Sequence, residues 1–82
     1  MAATQQDIAG WFLEGVKTGA THMIVVYDTF SHDDYPVYVM PTEDVHEKVS
    51  EYHGPNMQRV MEVYNLRLDM GAQLGECRAF NF

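Results

Sequence analysis

The sequence predicts an α+β fold with the element order α-β-β-α-β-α, its three strands forming a mainly antiparallel sheet of spatial order 2-1-3 packed against helices. Three observations predict it. Residues 23–27, MIVVY, are the only five consecutive apolar residues in the chain, the pattern of a strand buried on both faces. The polar, turn-forming stretch SHDD separates them from a second strand pattern, YPVYVM, so the two form a hairpin. Upstream, Ile8, Trp11, Phe12, Gly15 and Val16 recur with the period of one helix face.

A chain of 82 residues holds one compact domain, residues 1–82, with a single core. Hydrophobic residues at 46% and charged residues at 21% are the mixture of a folded globular protein rather than a disordered one. The one cysteine, Cys77, excludes an internal disulfide framework, and a cytoplasmic location is the expectation. No apolar run is long enough to cross a bilayer, and the start MAATQQD lacks a signal peptide's basic and apolar segments. The whole chain is therefore expected to be the mature protein.

In chain order, Thr4 and Asp7 form a capping box that opens the first helix, and Gly19 fits the left-handed position after its end. Gly15 lies on the apolar stripe, where a missing side chain permits close approach to a sheet. The first strand is expected over residues 21–30, with His22, Ile24, Val26, Asp28 and Phe30 on one face and Met23, Val25, Tyr27 and Thr29 on the other. The second, over residues 35–40, carries Pro36, which lacks a ladder donor and so marks a sheet edge. Thr42 is read as the cap of a second helix with Glu43 and Asp44 in its first turn and Val45, Val49 and Tyr52 on its buried line. Glu43, Glu47 and Glu51 recur on another face, and Gly54 and Pro55 end the helix.

Residues 57–66, MQRVMEVYNL, admit two periods. Met57, Val60, Met61 and Tyr64 have helical spacing, whereas VMEVY has the valine and tyrosine content of a strand. The strand is preferred because a hairpin alone seldom makes an adequate sheet. Asp69 then caps a short last helix with Met70, Leu74 and Cys77 on one side, and RAFNF is a final extended piece. The return through the second helix, expected to be right-handed, places residues 21–30 at the centre of the sheet. Three short helices cover one face well and the other partly, from which self-association as a homodimer is expected.

The net charge of −7 is concentrated in residues 28–51, where Asp28, Asp33, Asp34, Glu43, Asp44, Glu47 and Glu51 accompany one base, Lys48. Such a field repels nucleic acid and anionic membrane, and it attracts a basic protein partner or cations. The candidate binding residues follow. Asp28, His32, Asp33 and Asp34 surround the hairpin loop and offer oxygen and nitrogen atoms to a cation. Glu43, Glu47 and Glu51 stand about 6 Å apart if helical, a little wider than the charges along one DNA strand. Each group also has an ordinary reading, since Asp and His are common turn residues and surface helices carry a charged face.

No catalytic residue emerges. His22, His32, His46 and His53 include no H-E-x-x-H pair, Cys77 falls on the apolar side of a helix, and no glycine-rich loop opens a helix after a strand. Neither a resident metal nor a cofactor is expected.

GWFLEGVKTGATHMIVVYDTFSHDDYPVYVMP and the later NMQRVMEVYNL resemble a family of small bacterial proteins of unassigned function, met in chromosomes and in mobile or phage-derived DNA. The resemblance implies a free-standing domain and carries over no active-site residue. Charge and fold together point to a non-enzymatic protein-binding module, one variant being an inhibitor that imitates nucleic acid. The alternative is a small-ligand or metal-dependent activity at Asp28, His32, Asp33 and Asp34.

Overall fold

A computed structural model describes residues 4–54, 57–76 and 79–82 of the chain. Its elements are α1 (Gln5–Thr18), β1 (His22–Asp28), β2 (Asp33–Val39), α2 (Val45–Tyr52), β3 (Gln58–Asn65) and α3 (Met70–Leu74). The sheet order is β2-β1-β3, and β1 runs antiparallel to both neighbours. The fold is the α+β arrangement that the sequence predicts, with the MIVVY run in the central strand. No described helix is long and apolar enough to cross a membrane.

Both hydrogen bonds of the capping box are made, Asp7 N–H to Thr4 Oγ1 and Thr4 N–H to Asp7 Oδ2, each 3.1 Å. Gly19 ends α1 at φ 86°, a left-handed conformation that glycine adopts without a steric penalty. Between these caps Ile8, Phe12 and Gly15 are buried. A Cβ on Gly15 would lie 2.8 Å from both Leu66 Cδ1 and Tyr38 Cε1, so the glycine is what lets α1 seat on the sheet. The stripe is narrower than expected: Val16, one residue round the helix from that contact, remains 49% exposed.

The two faces of β1 feed two cores. Met23 and Val25 join Ile8, Phe12, Ala20, Tyr64, Leu66 and Ala79 beneath α1, with Trp11, Tyr38, Met70 and Leu74 packed against them. Ile24 and Val26 join Val39, Val60 and Val63, and there α2 contributes Val45, Val49 and Tyr52. The helices therefore divide between the faces, α1 and α3 on one and α2 on the other. Cys77, expected beside Met70 and Leu74, lies outside the described residues, as do Pro55 and Arg78.

The mixed period of residues 57–66 has a geometric cause. Opposite Val25 and Val26 stand Glu62 and Val60, so Met61 is an extra residue in the ladder, a β-bulge. The bulge lets Val60 and Val63, three residues apart, enter the same core. A helical spacing is thus written into a strand. Beyond β3, the buried Gln73 holds both backbone polar groups of Asn65: its Oε1 accepts from Asn65 N–H at 2.8 Å and its Nε2 donates to Asn65 O at 2.9 Å. The final segment is extended, as expected, and bridges in parallel to Val63, whose N–H donates to Ala79 O at 2.7 Å.

Candidate functional site

The strand boundaries at the hairpin differ from those expected, and a side chain explains why. Asp28 Oδ1 accepts from the N–H groups of Phe30 at 2.8 Å and Ser31 at 3.3 Å, a side-chain turn that ends β1 two residues early. Thr29 and Phe30 therefore belong to the loop, and Phe30 is 78% exposed at its tip. His32 adopts a left-handed conformation at φ 60°, its N–H donating to Asp28 O at 2.8 Å and its Nδ1 lying 2.7 Å from the Tyr27 hydroxyl. Asp33 and Asp34, expected in the loop, are instead the first two residues of β2.

That shift separates the candidate ligands. Asp33 lies opposite Asp28 and Asp34 opposite Tyr27, and adjacent strand residues point to opposite sheet faces. Among the described residues no group of three or more His, Cys, Asp and Glu side chains is placed to hold a metal ion. Asp28 and Asp33 thus share one face of the hairpin and Asp34 takes the other.

The second candidate group is brought together at the expected helix, which starts two residues later than expected. Asp44, not Thr42, is the N-cap of α2, its side chain accepting from His46 N–H at 2.8 Å. Glu43 therefore precedes the helix, held by a turn in which its N–H donates to Met40 O at 2.9 Å. Its side chain folds back: Oε1 accepts from Met40 N–H at 3.0 Å, and Oε2 lies 2.6 Å from Lys48 Nζ. The Lys48 hydrogen bond, followed by that from Met40, holds the Glu43 carboxyl below its ordinary pKa, and the same bond raises that of Lys48. Only Glu47 and Glu51 stand one turn apart on α2 itself.

Thr42, Glu43, Asp44, Glu47, Lys48 and Glu51 nevertheless line one surface depression of about 310 Å³. Lys48, the one base in the acidic run, reaches back from α2 to Glu43, which the cap at Asp44 leaves just before the helix. The far end of α2 points to the hairpin. Tyr35 and Tyr52 pack against the same core, and burial raises the pKa of Tyr35. Gln58 Nε2 donates to that Tyr35 hydroxyl, tying the start of β3 to the same end.

One grouping was not foreseen. His22 opens β1, His46 lies on α2, and Phe82 stacks on the His46 ring at 4.6 Å between centroids and 12° between planes. No periodicity links residues so distant in the chain. Comparison with family models, curated proteins and solved structures finds no match to this chain.

Proposed function

We propose that this protein is a non-enzymatic protein-binding module whose acidic face, built from α2 and the hairpin end of the sheet, receives a basic partner. The observation that carries the reading is the gathering of Glu43, Asp44, Glu47 and Glu51 around one surface depression. Glu47 and Glu51 lie on α2 and Glu43 and Asp44 just before it, and all four are exposed, so they are presented to solvent rather than enclosed. An open array of like charge attracts a partner of opposite sign and speeds encounter, with a strong dependence on salt. A nucleic-acid-like inhibitor is one form of such a module, and pairing with a second copy of the chain is part of the proposal.

The test follows from the geometry. Glu43 supports its own turn, so the informative variant is Glu47→Lys with Glu51→Lys, which reverses charge without removing a cap. Partners captured by the wild-type protein are expected to be basic, to elute as salt rises through the range where charge screening becomes strong, and to be lost by the double variant. Retention of every partner by that variant refutes the acidic-face reading. A light-scattering mass of one chain at micromolar concentration refutes the dimer.

A further inference from the structure

Phe30, at the tip of the hairpin, is the most exposed large apolar side chain among the described residues at 78%, and Met57 is 58% exposed. The backbone joins the two positions. Thr29, next to Phe30 in the chain, donates to Met57 O from its N–H at 2.8 Å and from its Oγ1 at 2.7 Å. A single exposed apolar residue is ordinary, but this one stands on a fixed frame. Asp28 Oδ1 holds the Phe30 and Ser31 N–H groups, and Asp28 O holds that of His32. His32 and Met57, at φ 60° and 61°, are the described residues other than glycine with a left-handed backbone, and both border this tip. Such conformations persist only where surrounding bonds enforce them. The tip is therefore a pre-ordered projection that carries an aromatic ring into water. An aromatic side chain on an already ordered loop loses little freedom on binding, which is what an anchor residue requires.

Charge selects what the anchor meets. Asp28 follows Ile24 and Val26 on the sheet face that α2 covers, and Asp33 is its partner across the hairpin. The chain leaving α2 comes back to the same end of the sheet: Gly54 N–H donates to Gln58 O at 2.8 Å, and Gln58 stands opposite Asp28. The exposed Glu47 and Glu51 thus lie on the helix that leads toward the tip. Arg59, opposite Tyr27, is the arginine at this end, and the acids outnumber it. A second copy of the chain, itself at −7 and with carboxylates around its own depression, is repelled here. An anionic membrane is repelled for the same reason.

We infer that the hairpin tip is the anchor of the acidic face and that its occupant is a basic amphipathic segment of another protein. Phe30 and Met57 pack on the apolar stripe of that segment, and the lysines or arginines bordering the stripe face the carboxylates. The inference rests on the acidic-face reading and adds to it the contact that fixes register. Charge speeds encounter and makes it depend on salt, whereas a ring taken out of water slows dissociation.

Three synthetic peptides of equal length, titrated into the full-length protein, test this. One is an amphipathic lysine–leucine peptide, the second a lysine–serine peptide of the same charge, and the third an uncharged glutamine–leucine peptide. The lysine–leucine peptide is expected to bind tighter than the lysine–serine peptide by about tenfold or more, the return on burying a phenylalanine ring. Phe30→Ser should remove that difference through faster dissociation, with the salt dependence and the melting temperature unchanged. Equal binding of the two basic peptides, or a preference that survives Phe30→Ser, overturns the anchor and leaves the acidic face standing. Glutamine–leucine binding as tight as lysine–leucine binding overturns the acidic face and with it the basic occupant. Full affinity for the lysine–leucine peptide in Glu47→Lys with Glu51→Lys does the same. Binding of no peptide overturns both. Phosphatidylcholine vesicles that retain the wild type but not Phe30→Ser would make the tip a lipid anchor, which overturns the protein occupant.

Discussion

The two faces of the sheet are covered by helices of different character. Beneath α1 the contacts are deep: Phe12 and Tyr64 are both buried and meet edge to face, with ring centroids 6.4 Å apart. The Tyr64 hydroxyl still finds an acceptor, Glu62 Oε2 at 2.6 Å. On the other face α2 buries none of its residues fully, and Val45, Val49 and Tyr52 rest half-buried on a core supplied by the strands. One helix is part of the core, whereas the other is laid on it. The acidic residues belong to the second, so the surface proposed to meet a partner is also the less deeply anchored one.

Truncation should expose this asymmetry most strongly. Phe12→Ala removes a buried aromatic ring, and denaturant unfolding should register a loss of about 3–5 kcal/mol. Val49→Ala removes a side chain already half in water, and the loss should be about 1 kcal/mol, near half the transfer value of a fully buried valine. Similar losses at the two sites would mean that α2 is seated as firmly as α1.

A smaller effect is expected at the contact that allows α1 to sit so close. Gly15→Ala gains about 1 kcal/mol of helix propensity, but its methyl meets Leu66 and the Tyr38 ring, and overpacking of this kind costs about 1–3 kcal/mol. The ring has little freedom to retreat, because the Tyr38 hydroxyl donates to Trp11 O at 2.8 Å on the same helix. The net result is a modest destabilisation, seen as a lower denaturation midpoint. A stabilised variant would show that the helix shifts outward without loss, and that the two faces are less different than they look.

How much of this was legible in the sequence depends on where each signal is written. The central strand, the edge position of the Pro36 strand and the capping box are local patterns, and each is found where the residues predict it. Residues 57–66 were ambiguous because the bulge at Met61 gives a strand the spacing of a helix. Two of the misplaced boundaries, the end of β1 and the start of α2, arise from aspartates whose side chains bind nearby N–H groups. Composition shows that Asp28 and Asp44 are acidic, but not that their first task is to shape the backbone. The grouping of His22, His46 and Phe82 depends on tertiary placement alone, and no spacing announces it. For the candidate site, the carboxylates of the α2 face are legible as a charge run, whereas the pairing of Lys48 with Glu43 depends on the position of the cap.

The smallest effect should come from that Glu43–Lys48 pair, and its smallness carries information. Glu43 is exposed and Lys48 partly so, and surface ion pairs contribute little because solvent screens them and ordering two long side chains opposes the gain. Lys48→Gln should leave the melting temperature essentially unchanged. The Glu43 carboxyl, followed by NMR across acidic pH, should nevertheless titrate higher in the variant, since the largest cause of its depressed pKa is gone. It should remain below the ordinary range because Met40 N–H still donates to it. A depressed carboxylate contributes stability above its unfolded pKa and loses it as pH falls through the folded value, so whatever the pair adds disappears in acid. If Lys48→Gln instead lowered the melting temperature at neutral pH, the start of α2 would be held by the charge pair itself. If the melting temperature holds, α2 is positioned by its aspartate cap and the Met40 turn, and the Glu43–Lys48 pair can open without loosening the helix.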